Sequence, residues 1–98
     1  MKDQIAEAIR HKRCLKIFYA PGVRLIEPHT LGRGKDSQIL LRAYQVAGAS
    51  ASGEPEHWKL FRLDRIGNVE PDEGSSAAPR LGYKRNDSIM KGGIIAEV

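Results

Sequence analysis

Apolar positions recur every three or four residues at the start of the chain, at Ile5, Ala8 and Ile9, with Lys12 continuing the stripe. That spacing predicts a short amphipathic helix over 3–13, with Asp3 as its N-cap. Arg10, His11, Lys12 and Arg13 crowd its far end, where the helix dipole favours positive charge. A helix of about three turns is marginal alone and needs a sheet to pack against. From Cys14 the period drops to two. Leu15, Ile17 and Tyr19 fall on one side of a strand over 14–20 and Phe18 on the other. Pro21-Gly22 marks a turn, and 23–29 reads as the returning strand, with Pro28 placing its end at an edge or a bend. Further strands are predicted over 38–47, 57–64 and 66–70, with Gly67-Asn68 as a bend and the Gly/Ser/Ala run 48–55 as a flexible connection.

One helix followed by five short strands is the element order of an Sm-like or SH3-like small barrel, so the predicted class is mainly β. The barrel occupies 1–70. Residues 71–80 (PDEGSSAAPR) read as a linker from their turn-forming composition. The extension 81–98 carries Ile89, Met90, Ile94, Ile95 and Val98, too many apolar residues for a solvated tail. It is expected to dock on the barrel or on a second copy of the chain, giving a homodimer through 81–98.

The length of 98 residues fits one domain. Charge is unevenly placed. Residues 1–70 hold twelve Lys or Arg against eight Asp or Glu, a balance of +4, whereas 71–98 hold four of each. A mild basic excess permits an anionic partner without requiring one. Cys14 is the single cysteine, which excludes an intrachain disulfide and a multi-cysteine metal site. No apolar run reaches the roughly 18 residues of a membrane span, and the N-terminus lacks a signal-peptide core. A cytoplasmic setting and no membrane partner are expected.

The chemistry-bearing residues cluster in the strands. In Phe61-Arg62-Leu63-Asp64-Arg65-Ile66, alternation puts Arg62 and Asp64 on one face and Arg65 on the other. The first two can form an ion pair that fixes a strand end, or leave an arginine free to offer its planar fork to a phosphate or carboxylate. Arg42 and Tyr44 share a face of the third predicted strand, a pairing that suits a planar anion. A tyrosine in such a place is more often a half-buried core aromatic than a stacking platform. Arg24, His29 and Trp58 complete the candidates, His29 reading either as an anion-site residue or as a turn residue beside Pro28.

Four stretches, in this order, resemble the WYL domain family: IAEAIRHKRCLKIFYA (5–20), RLIEPHTL (24–31), LRAY (41–44) and FRLDRI (61–66). The resemblance covers about residues 5–70. It implies a bacterial Sm-like barrel that senses ligands in transcriptional regulators, with a basic groove that receives nucleotides or single-stranded nucleic acid. Carried over by position, the groove residues are Arg24, His29, Arg42, Tyr44, Arg62 and Arg65, with Asp64 as the orienting partner. The Trp-Tyr-Leu triplet that names the family falls here on Ile39-Leu40-Leu41. WYL regulators carry a helix-turn-helix domain upstream, so any promoter reading is expected to come from a partner regulatory protein.

Two functions follow as expectations: a non-enzymatic module that binds a nucleotide or single strand, or a structural module that docks on a protein or self-associates. An enzyme finds less support. His11, His29 and His57 are too far apart for a metal pair, no carboxylate pair stands out, and Gly32-x-Gly34-Lys35 lacks P-loop spacing. Cys14 reads as a packing residue. No metal and no cofactor are expected.

Overall fold

The computed structural model describes residues 1–51, 53 and 56–98. Helix α1 (Lys2–Arg10) is followed by strands β1 (Arg13–Tyr19), β2 (Gly22–Arg33), β3 (Ile39–Gly48) and β4 (His57–Arg62), a 3-10 turn (Leu63–Arg65), β5 (Asn68–Ser75) and β6 (Gly93–Glu97). The strands form one six-stranded antiparallel sheet in the order β4-β3-β2-β1-β5, with β6 added on β2. The chain is mainly β, as expected. The sheet carries one strand more than predicted, and among the described residues β4 and β5 remain unpaired edges, so it is open.

The apolar positions build the core. Ile5, Ala8 and Ile9 of α1 pack against Leu15, Ile17, Ile26, Leu31, Leu41, Ala43 and Phe61 on the inner face of the sheet. The helix begins one residue earlier than expected and ends three residues sooner. Met1 is its N-cap, Asp3 lies in the first turn where a carboxylate still complements the dipole, and the helix stops at Arg10. Lys12, exposed and at φ 51°, belongs to the turn into β1 rather than to the apolar stripe.

Three predicted strand limits are corrected. β2 runs on to Arg33, past Pro28, because it changes neighbours along its length. β1 covers it as far as Ile26, and β6 takes over at Thr30. Pro28, lacking an N–H, sits in the gap between those two partners and beside a register shift with β3. The supposed linker is half strand. Residues 71–75 continue β5, with Pro71 opposite Leu15 and Ser75 opposite Arg13 across a bulge, an arrangement that an edge strand tolerates. In the other direction, β4 stops at Arg62, and Leu63–Arg65 turns out of the sheet, which ends the alternation assumed for Phe61–Ile66.

The extension docks on its own chain. Met90 and Ala96 are buried, while Ile94, Ile95 and Val98 are half-buried. Gly32 makes that docking possible: a Cβ there would lie 2.7 Å from the Gly93 carbonyl and 3.0 Å from Met90 Sδ. No helix among the described residues is long and apolar enough to cross a membrane.

Candidate functional site

Directly opposed residues of antiparallel strands share a face. The pairs Glu27–Tyr44, Thr30–Arg42, Tyr44–Trp58, Arg42–Leu60 and Leu40–Arg62 therefore define the outer face of β2, β3 and β4. Residues 76–92 lie across this face, between β5 and β6. They bring to it what the strands lack, a second set of charges and another aromatic ring.

The deepest contact is ionic. Glu27 is 3% exposed, and its carboxylate accepts from Arg80 Nε at 2.6 Å and from the Ala77 N–H at 2.7 Å. Burial pushes its pKa up, but the Arg80 and Ala77 hydrogen bonds and nearby positive charge outweigh that and hold it below the ordinary value. The same guanidinium lies 4.7 Å from the centre of the Tyr44 ring. His29 is fully buried beside this pair. Its Nδ1 lies 2.8 Å from the Glu27 carbonyl and its Nε2 accepts from the Arg80 N–H at 3.1 Å, a pattern that fits the neutral Nδ1–H tautomer. Burial lowers its pKa; the Glu27 carbonyl and charge oppose this without reversing it.

Above His29 the aromatic rings gather. Its imidazole meets Trp58 edge-on at 4.6 Å between centroids and Tyr83 at 5.2 Å, and Trp58 and Tyr83 lie nearly parallel, at 23° and 6.4 Å. Trp58 donates its indole N–H to the Leu81 carbonyl at 3.1 Å. A side chain at Gly82, which has φ +92°, would crowd that indole nitrogen at 3.1 Å. The Tyr83 hydroxyl donates to Val98 O and accepts from Thr30. Next to the rings, Arg42 pairs with Asp87 at 2.7 Å, and Arg85 with Glu97 at 2.9 Å. Burial raises the pKa of Asp87, yet the Arg42 fork, the Ile89 N–H and the Arg42 charge bring it below its usual value.

Between Arg42, Trp58 and residues 82–88 opens a cleft of about 390 Å³. Its charged lining is Arg42, Lys84 and Arg85 against Asp87 alone, so the cleft is basic with an aromatic wall. A larger hollow of about 700 Å³ lies between α1, β1 and β5, but its rim sets the carboxylates of Glu7, Asp72 and Glu73 against the single arginine Arg13 and His11, so it is less basic than the cleft. Cys14 borders that hollow. Its thiol is buried and directed at the Ser75 carbonyl, and burial followed by the charges of Glu27 and Asp72 pushes its pKa up.

The six residues expected at one groove are not gathered at one. Arg24 faces inward, opposite Ile17. It is 4% exposed, and its guanidinium donates to the Tyr19 and Ala20 carbonyls and to Gln45, between the Tyr19 and Phe61 rings. Burial lowers its pKa, with only a partial offset from Tyr19. His29 is a mid-strand core residue rather than a turn residue. Arg42 and Tyr44 do share the outer face, though Asp87 and Arg80 already engage them. Arg62 lies further along that face and is clasped by Asp64 at 2.7 Å, the ion-pair reading of the motif. Arg65 is exposed in the 3-10 turn, outside the cleft. The sequence reading missed Glu27, Arg80, Tyr83, Lys84, Arg85 and Asp87; the aromatic-basic run Tyr83-Lys84-Arg85 was the signal available.

No family model and no curated protein matches this chain. Among solved structures, proteasome accessory factor B/C (PafBC) of Arthrobacter aurescens superposes with a TM-score of 0.63 at 24% identity, over 84% of this chain. The matched region is 13% of that protein, so this chain spans a small part of its length. The likeness carries the fold, and supports a WYL-like fold at the coarse level.

Proposed function

We propose that this chain is a non-enzymatic sensing module whose basic, aromatic-walled cleft takes a phosphate-bearing planar ligand, a nucleotide or a short single strand. The observation that carries this reading is the meeting of Trp58 and Tyr83 with Arg42, Lys84 and Arg85 around one opening. Arginine forks and a lysine supply charge-assisted hydrogen bonds to phosphate oxygens, and an exposed ring edge or face supplies sequence-tolerant stacking. The coarse WYL-like fold agrees with such a role, since the family resemblance implies a ligand-sensing module, although the sheet here is open. A partner protein would then turn occupancy into regulation.

Trp58 is the single tryptophan of the chain, so its fluorescence reports on the cleft directly. Titrating with adenosine 5′-monophosphate and with oligothymidylate at low salt should quench or shift it saturably. Lys84→Ala with Arg85→Ala should weaken binding about tenfold or more, on the order of 1.5 kcal/mol for two phosphate contacts. Equal affinity in the double variant would remove the reading.

A docking module is the second reading, and it rests on apolar side chains exposed at two places. Phe18 and Val23, paired across β1 and β2, are 46% and 54% exposed, and Leu81 is 99% exposed. An assembly role predicts a mass in solution above one chain that Phe18→Ser with Leu81→Ser reduces.

A further inference from the structure

Asp87 occupies the place that an anionic ligand of the cleft would want. Its two oxygens face Arg42 Nε at 2.7 Å and Nη2 at 3.5 Å, the side-on approach that a phosphate or ligand carboxylate makes to an arginine fork. The Arg42 fork cannot serve both in that geometry.

The segment that carries Asp87 is built in two parts. Its beginning is clamped, because Arg80 and the Ala77 N–H hold a Glu27 carboxylate that is almost wholly buried, and the Arg80 N–H is spent on His29. Its middle is held by polar contacts at the surface, Arg85 to Glu97 and to the Val98 carbonyl and the Asn86 N–H to Glu97, whereas Met90 at its far end is buried against Gly32. Lys84, Arg85, Asn86, Ser88 and Ile89 are exposed, and Arg42 and Asp87 keep 30% and 14% of their side-chain surface in solvent. Glycines bound this stretch: Gly82 at φ +92° before it, Gly92 and Gly93 (φ +113°) after it. These are positions where the backbone can change direction without Cβ strain.

We infer that Asp87 is a built-in stand-in for the ligand's oxyanion: an incoming phosphate or carboxylate takes over the Arg42 fork, expels Asp87 and frees residues 84–89 as a ligand-controlled flap hinged on the buried Met90. The inference rests on the cleft reading above and adds its regulation. Release is local. The Ile89 N–H loses its acceptor Asp87 Oδ1 directly, and movement of the segment then breaks the Asn86 N–H bond to Glu97 and loosens the turn in which the Met90 N–H donates to the Asp87 carbonyl. The Glu27–Arg80 clamp stays shut. Occupancy of the cleft thereby becomes a change in surface shape, with Ile89, already 39% exposed, carried outward for a partner to read.

The experiment combines amide hydrogen exchange with binding of adenosine 5′-monophosphate, and of inorganic phosphate separately, to the wild type and to Asp87→Asn. Asparagine keeps the oxygen that accepts from Ile89 but gives up the charge. The nucleotide should speed exchange at Asn86, Ile89 and Met90 in the wild type and leave Ala77 and Arg80 protected. Asp87→Asn should show the faster exchange without ligand and bind about fivefold tighter, the ratio that a partly exposed ion pair commands. Asp87→Ser should repeat the gain, and Arg42→Ala should cancel it. Competition by phosphate alone assigns recognition to the oxyanion; binding of the nucleotide only assigns part of it to the ring. Equal affinities for wild type and Asp87→Asn, or unchanged exchange at Ile89 and Met90 on binding, overturn the flap and leave the cleft reading standing. If neither probe binds either protein, the cleft reading falls and the flap with it.

Discussion

Replacing Arg80 with alanine strips the buried Glu27 carboxylate of its cationic partner while leaving the Ala77 N–H on it. Removing one member of a fully buried ion pair costs about 3–5 kcal/mol, because the remaining charge is desolvated without compensation. Arg80 keeps 36% of its side-chain surface in solvent, so water can enter the space it vacates. That relief reduces the cost to about 2 kcal/mol. Loss of the guanidinium from the Tyr44 ring adds roughly 0.5–1 kcal/mol. The expected total of about 2.5 kcal/mol corresponds to a fall of roughly 10–15 °C in Tm for a domain of this length. Urea unfolding followed by Trp58 fluorescence and by far-ultraviolet circular dichroism measures it. The pH dependence carries a second signature. In the wild type Glu27 sits below its ordinary pKa, so its contribution is present above about pH 4.5 and is lost as pH falls through the folded value. Without Arg80, burial dominates and raises the folded pKa, so the deficit is largest at neutral pH and shrinks on acidification. Adding Glu27→Gln to Arg80→Ala should recover at least half of the loss. A deficit below about 0.5 kcal/mol, or a double variant no more stable than the single, would mean that Arg80 does not compensate the buried Glu27 charge.

His29 is held neutral by burial, so the folded state binds its proton less readily than the unfolded chain; the urea midpoint should fall between pH 7 and pH 5, and His29→Gln should flatten that dependence. Arg24→Met should cost about 2 kcal/mol in thermal or urea unfolding, since it leaves the Tyr19 and Ala20 carbonyls short of a donor, yet nucleotide affinity should not change because Arg24 faces the core. Gly48→Ala should cost about 1–3 kcal/mol in a thermal melt, because φ is +105° and a Cβ would run into the Val23 carbonyl.

Period-two reading located the strand faces wherever one side was buried. Leu15 and Ile17 went in while Phe18 came out, and Arg42 and Tyr44 fell together on the outer face because only one residue separates them. The alternation failed at Leu63, where the chain leaves the sheet in a 3-10 turn that no local apolar spacing announces. Residues 71–75 misled for a different reason: proline, aspartate and glycine are turn formers in isolation, but β1 offers an edge on which tertiary pairing overrides local preference. Among the candidates, the Arg62–Asp64 pair was legible because its members lie two residues apart, whereas the other pairings were not. The Arg42–Asp87 pair spans 45 positions and the Glu27–Arg80 pair 53, so nothing near either arginine or Glu27 in the sequence disclosed its partner. Even charge balance hid the point, since 71–98 sum to zero while delivering both Arg80 and Asp87 to the same face.

Entry of a phosphate-bearing ligand between Trp58, Tyr83 and the basic side chains can be followed by titrating Trp58 fluorescence with oligothymidylate across a range of salt concentrations. Two or three phosphate contacts predict that log K falls linearly with log salt with a slope of about −1.4 to −2, and that Lys84→Ala with Arg85→Ala makes it shallower by roughly 1.4. A slope near zero, or a slope that the double variant leaves unchanged, would contradict the account.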